Sequence, residues 1–262
     1  AKMFLEAQGA GDKILSIFVT AGYPFLESTA DIVWQLDQSG ADLVEIGIPF
    51  SDPIADGPTI QNSSKIALDN GMNVRLALHQ VRTIRQKSEI PLILMGYLNP
   101  LMKYGLDKFL QDAESAGVDG LIVPDLLPEE FDQLKDVFDN SSLGLSFLIS
   151  PNTPAERIKE IDKRTSHFIY CVSVTGVTGS RKELAPTLID FLESLKAMVA
   201  HPRLVGFGIS NPEHAKKIAK TVDGVIVGSA VIDLLTKQKG SQQMLKTVGQ
   251  FVQTLKLALR GV

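Results

Sequence analysis

Eight strand-sized apolar runs, amphipathic stretches between them and a length of 262 residues predict an α/β protein folded as a parallel (β/α)8 TIM barrel. The runs are ILSIFVT (14–20), ADLVEIGI (41–48), PLILMGY (91–97), VDGLIVPD (118–125), LGLSFLIS (143–150), HFIYCVSV (167–174), RLVGFGIS (203–210) and VDGVIVGS (222–229). Most are nearly continuously apolar, as parallel strands buried on both faces must be. No Pro/Gly/Ser-rich linker, low-complexity tract or break in composition interrupts the alternation, so residues 1–262 read as one domain. A doubly wound open sheet is the competing arrangement. It is disfavoured because no Gly-x-Gly-x-x-Gly follows the first run.

Taken in order, residues 1–13 suit a short helix leading into the first strand. Residues 28–40 carry an apolar helical face behind Ser28, and Gly40 stands where a C-terminal cap belongs. The wide gap after the second run leaves room for an extra short helix around residues 60–70. Helical patterns follow at 73–88 and at 106–117, the latter ending on Gly117. Pro128 ahead of Glu129 and Glu130 starts another at 128–140. Pro154 and Pro212 mark the first turns of helices at 154–164 and 211–220. The near-identity of VDGLIVPD and VDGVIVGS hints at internal repetition.

Composition excludes several classes. With 26 basic and 30 acidic residues the formal charge is −4, and no basic cluster interleaved with aromatics occurs, so nucleic acid is not favoured as a partner. The longest apolar runs fall short of the ~20 residues that span a bilayer. The first residues lack the apolar core of a secretory signal. The single cysteine, Cys171, sits in an apolar run and fits a reducing compartment, which makes the cytoplasm the expected location. His79, His167, His201 and His214 are scattered without metal-ligand spacing, and His79 and His214 are expected to face solvent. No Gly-x-Ser-x-Gly elbow or Gly-Lys-Ser/Thr phosphate loop is present. Lys65 and Lys103 lie away from strand interiors, which leaves a Schiff-base mechanism without a lysine.

Barrel enzymes gather their chemistry at the C-terminal strand ends. Glu45 is the first anomaly there, a carboxylate inside an apolar strand, which is expensive unless something requires it. Alternation puts Val44, Ile46 and Ile48 toward the helices and Leu43, Glu45 and Gly47 toward the barrel mouth. Desolvation there raises a carboxyl pKa, which suits a group that gives and accepts protons near neutrality. Asp56 follows eleven residues later in a loop stiffened by Pro53 and Pro58, and can reach over the same mouth. The alternative for Glu45 is a structural carboxylate satisfied by a backbone or hydroxyl partner. For Asp56, as for Asp52, it is a turn-shaping role.

A phosphate seat is the second expectation. GFGIS (206–210) and GSA (228–230) each end a strand and open a helix, and barrel phosphate sites use the loops after strands seven and eight. The third is VTGVTGSRK (174–182), whose glycines, threonines and basic end suit either a closing lid or a solvated connector.

The stretches FVTAGYP (18–24), LVEIGIPFSDPIADGPTIQ (43–61), GVTG (176–179), GFGIS and GSA together resemble the tryptophan synthase alpha subunit family along essentially the whole chain. That resemblance implies cleavage of indole-3-glycerol phosphate to indole and glyceraldehyde 3-phosphate without metal or cofactor. It implies Glu45 as general acid–base and Asp56 as the carboxylate on the indole N–H. Phe18 and Tyr170 would line the indole pocket, and Thr178 would bond the catalytic Asp from the lid. Gly179, Gly208, Gly228 and Ser229 would hold the phosphate. The implied partner is a pyridoxal-phosphate-dependent beta subunit in an α2β2 assembly, faced by the 50–58 loop, Asn99 and the lid. Rival readings are another phosphosugar barrel enzyme, a free-standing indole-releasing lyase, or a non-catalytic subunit that binds phosphate and activates its partner.

Overall fold

The computed structural model describes residues 2–172, 186–206 and 208–262. Helix α1 (Lys2–Ala10) leads into β1 (Ile14–Thr20), followed by α2 (Ser28–Gln38), β2 (Leu43–Gly47), α3 (Pro58–Asp69) and α4 (Val74–Ile84). Next come β3 (Leu92–Met95), α5 (Leu98–Tyr104), α6 (Leu106–Ala116), β4 (Gly120–Ile122) and α7 (Pro128–Asp139). The second half holds β5 (Gly144–Leu145), β6 (Leu148–Ile149), α8 (Ala155–Arg164), β7 (Ile169–Val172), α9 (Pro186–Leu195) and β8 (Arg203–Gly206). It ends with α10 (Pro212–Ala219), β9 (Gly224–Val227), α11 (Ser229–Lys237) and α12 (Met244–Ala258). No helix among the described residues is long and apolar enough to cross a membrane.

All strand pairs among the described residues are parallel, in the order β5-β4-β3-β2-β1-β9-β8-β7-β6. The run at 143–150, expected as one strand, is split: β5 pairs with β4 and β6 pairs with β7. The backbone bridges the break, because Ser146 N donates to Leu121 O at 3.0 Å and Tyr170 N to Phe147 O at 2.9 Å. Residues 144–149 thus occupy one staggered barrel position, and the ring closes through them. Eight strand positions remain, as the sequence predicted.

Two cores follow from the period of two. Outward residues such as Ile17, Val19, Val44, Ile46, Leu92 and Leu94 pack under the helices. Inward residues Ile14, Leu43, Ile93, Ile122, Phe168, Leu204 and Ile226 fill the lower barrel as a separate apolar cluster, with α1 packed beneath it through Phe4. Proline stands in the first turn of α3, α7 and α10, and the Asn73 and Asn211 side chains cap α4 and α10. Gly117 closes α6 at φ +93°, where the Arg85 side chain packs against its bare Cα. Two local expectations need correction. Ser28 opens α2 without capping it, since its Oγ donates to Phe25 O at 2.7 Å. His214 is half-buried rather than solvent-facing, whereas His79 is exposed.

The repeated VDG has a local cause at the N-terminal barrel end. Asp119, just before β4, accepts Leu92 N from β3 at 2.7 Å, and Asp223, just before β9, accepts Arg203 N from β8 at 2.8 Å. Asp42, just before β2, does the same for Leu15 N of β1 at 2.8 Å. Each carboxylate also meets a cation: Arg85, Arg203 and Lys256 respectively.

Candidate active site

A cavity of about 790 Å³ opens at the C-terminal strand ends, within the size range of small-ligand pockets. Phe18, Asp56, Tyr170, Gly208, Gly228 and Ser229 all line it, so six of the sequence-derived site residues converge. Thr178 and Gly179, with the rest of the proposed lid, lie outside the described residues.

Glu45 faces inward from the middle of β2, as alternation required. It is fully buried and absent from the cavity lining, although its cross-strand neighbour Phe18 lines the cavity. Its Oε1 accepts a hydrogen bond of 2.7 Å from Ser16 Oγ of β1, while its Oε2 has no hydrogen-bond partner among the described residues. Nor does any cation among them pair with it. Burial pushes its pKa up to about 7, against the smaller lowering effect of the Ser16 bond.

Asp56 sits half-buried in the loop between β2 and α3. Tyr97, just beyond β3, donates its hydroxyl to Asp56 Oδ2 at 2.9 Å and accepts Ala55 N at 3.0 Å. The loop is further tied by Asp56 N to Pro53 O and by Gln61 Nε2 to Asp56 O. Burial raises the Asp56 pKa to about 6, and the Tyr97 hydrogen bond holds it from rising further. Asp52 is exposed and bonded to Ser51 Oγ, in keeping with a turn role. Asp125 belongs to the fold: it accepts Leu98 N at the start of α5.

Two glycines make room for the aromatic walls. A Cβ on Gly206 would lie 2.2 Å from the Tyr170 hydroxyl oxygen, and one on Gly47 would lie 2.5 Å from Phe18 Cζ. The Tyr170 hydroxyl is held well above its ordinary pKa by burial and by the nearby charges of Glu45 and Asp56. It is therefore a neutral group within reach of the charge of both carboxylates.

The cavity wall also includes the start of a helix and a glycine turn. Gly228 precedes α11, and both Val231 N and Ile232 N bond to its carbonyl at 2.9 and 3.0 Å. The Ser229 and Ala230 N–H groups thus precede the first intrahelical bond and remain available at the positive end of the helix. Gly208, at φ +40°, turns the facing loop before Asn211 caps α10.

Sequence reasoning missed Ser16 and gave Tyr97 no role beyond a strand end. A hydroxyl in the middle of ILSIFVT is the signal that could have found Ser16. For Tyr97 the signal was weaker, since an aromatic after a strand has many uses.

Parallel strands closed into a ring, with polar groups gathered where the strands end, define a (β/α)8-barrel enzyme. The particular family follows from likeness over the whole chain. The family model described as tryptophan synthase alpha chain matches residues 4–260. The tryptophan synthase alpha chain of Geotalea uraniireducens is 45% identical over 262 residues, covering 100% of this chain and 98% of that protein. That of Caldanaerobacter subterraneus subsp. tengcongensis is 44% identical over 258 residues, covering 98% of each. The crystal structure of the alpha chain from Legionella pneumophila superposes with a TM-score of 0.92 at 38% identity, covering 100% of this chain and 97% of that one. A chain of Mycobacterium tuberculosis tryptophan synthase gives 0.91 at 32% identity, covering 99% and 97%. The protein belongs to the tryptophan synthase alpha chain family.

Proposed function

We propose that this protein is a carbon–carbon lyase of tryptophan biosynthesis that cleaves indole-3-glycerol phosphate into indole and glyceraldehyde 3-phosphate. The observation that carries the reading is the pair of carboxylates, Glu45 and Asp56, held among the described residues by one hydroxyl each, with pKa values raised to about 7 and about 6. Such groups exchange protons near neutral pH.

The chemistry assigns each a step. A proton added at indole C3 places positive charge on the ring nitrogen, and a fixed carboxylate at the ring N–H stabilises it; Asp56 takes that role. Glu45 supplies the C3 proton and takes the proton of the adjacent side-chain hydroxyl. Loss of that proton forms the aldehyde as the carbon–carbon bond breaks, and the bonding pair returns the ring to neutral indole. Phe18 and Tyr170 clasp the ring. Gly208, Gly228, Ser229 and, from the lid, Gly179 take the phosphate, while Thr178 bonds Asp56 on closure. No step calls for a metal or cofactor held by this chain.

The partner is the beta subunit, which carries pyridoxal phosphate, in an α2β2 assembly. Exposed apolar side chains support this: Ile54, Met102 and Leu127 stand on the segments that follow β2, β3 and β4. The chain acts as a single domain in the cytoplasm. The test is to mix purified chain with indole-3-glycerol phosphate, alone and with a beta subunit. Indole is expected in both, faster with the partner. No indole in either condition overturns the reading, and equal rates without complex formation would mark a free-standing lyase.

A further inference from the structure

Ser16 and Glu45 share the inward face of adjacent strands one step out of level, since Ser16 pairs with Leu43 and Phe18 with Glu45. Both are fully buried. Ser16 is paired across the strands with the apolar Leu43 and Ile226, neither of which can bond a hydroxyl through its side chain. A serine there is costly unless bonded, and its Oγ donates to Glu45 Oε1 at 2.7 Å. Glu45 is not among the residues that line the cavity, although its cross-strand neighbour Phe18 is. The second carboxylate oxygen has no partner, which leaves Ser16 as the one hydrogen bond holding the side chain among the described residues.

We infer that Ser16 is a positioning residue for Glu45: its hydroxyl fixes where the carboxylate rests and thereby governs its proton exchange. The inference deepens the function proposed above and rests on Glu45 being the proton carrier. The direction is fixed by chemistry. A hydroxyl donating to a carboxylate favours the charged form, so its removal raises the midpoint of Glu45. The other titratable groups facing this region are Tyr170 from β7, already neutral, and Asp56 from the loop above. The strands to either side contribute Phe18, Ile93 and Met95, which carry no charge.

The experiment is a carboxyl titration by NMR on chain labelled with 13C at the glutamate carboxyl, the Glu45 signal being assigned by its loss in Glu45→Gln. Ser16→Ala should move the Glu45 midpoint upward by about half a unit to one unit, and Ser16→Thr, which restores the hydroxyl, should return it toward the native value. Affinity for inorganic phosphate, measured on the same samples, should change less than twofold, because Ser16 does not line the cavity. An unmoved Glu45 midpoint in Ser16→Ala overturns the inference, and so does a tenfold loss of phosphate affinity, which would mark Ser16 as packing for the whole site. If Ser16→Ala does not fold, Ser16→Cys, a weaker donor of similar size, must shift the midpoint in the same direction, and native titration in Ser16→Cys overturns the claim. Because this reads protonation without turnover, its failure is separate from failure of the lyase reading, which would appear as native indole release by Glu45→Gln.

Discussion

Asp42, Asp119 and Asp223 stand at the N-terminal ends of β2, β4 and β9, whereas Glu45 lies inside the barrel and Asp56 over its opposite end. Each of the first three receives a backbone N–H from a neighbouring strand and a lysine or arginine. The other two receive one side-chain hydroxyl each, from Ser16 and Tyr97, and no cation among the described residues. The difference fits the roles proposed for them above. A carboxylate that fixes strand register is best fully bonded, because an unmet acceptor costs stability. A carboxylate that handles protons is best left desolvated and under-bonded, because its two protonation states must be close in free energy at working pH.

The sharpest way to break this contrast is Glu45→Gln, which keeps the shape and the Ser16 bond but removes the titrating proton. Indole release should fall by roughly 10²–10⁴-fold, the range general acid–base groups supply, while substrate analogue still binds. Native turnover would remove Glu45 from the mechanism and make it a structural carboxylate like the lower three. Asp56→Asn should lower turnover by about 10²–10³-fold through the lost charge opposite the ring nitrogen. A weakened KM with native kcat would instead assign Asp56 to binding alone.

The same contrast has a signature in folding. Glu45 in the folded chain has its pKa raised from the ordinary 4.5 to about 7. Below about pH 4.5 both folded and unfolded states hold the proton, and burial carries no penalty. Between there and pH 7 the unfolded chain releases it and the folded chain does not, so stability falls as pH rises. Above about pH 7 the loss is complete, on the order of 3 kcal/mol. Glu45→Gln should lack that share of the decline and so be the more stable chain at pH 8, by denaturant titration. Parallel stability curves for the two chains from pH 5 to 8 would show that Glu45 is not held against its charge.

How far the sequence reveals these two ends depends on the interaction involved. Strand positions were legible because parallel strands buried on both faces leave unbroken apolar runs. The inward direction of Glu45 was legible because alternation is strict. Its absence from the cavity lining was not: whether an inward residue reaches the cavity depends on the stagger between β1 and β2, which also sets Ser16 beside Glu45. The repeated VDG was visible as a pattern, yet its cause lies in the N–H of a neighbouring strand up to 27 residues away. The break at Ser146–Phe147 was invisible, because LGLSFLIS keeps its alternation while its two halves pair to different sides. That Gly208 and Gly228 would line the cavity was legible from position alone, since both follow strands and precede helices.

At the lower end, Asp42→Ala tests the structural half of the comparison. It strips the acceptor from Leu15 N and leaves Lys256, largely buried, without its partner. A loss of about 1–3 kcal/mol is expected in chemical denaturation, with kcat and KM unchanged because the site lies at the other end. A change in turnover comparable to that of Asp56→Asn would mean the two ends are not independent.

The smallest expected effect belongs to Tyr97→Phe, and it separates positioning from bulk. The ring and its contact with Phe50, 5.4 Å between centroids, remain; only the hydroxyl goes. Two bonds are lost together, the one to Asp56 Oδ2 and the one from Ala55 N. Since Ala55 N must donate, the Tyr97 proton is committed to Asp56, and that bond favours the charged carboxylate. Removing it therefore raises the Asp56 pKa above about 6. With a midpoint near 6, about nine-tenths of Asp56 is charged at pH 7; a midpoint one unit higher leaves about half. Turnover should thus fall only about twofold at pH 7 but about tenfold well below both midpoints, and recover by pH 8.5. A uniform loss at every pH would mean that Tyr97 places the loop without tuning its charge, and the hydroxyl would then belong with the structural bonds of the lower barrel.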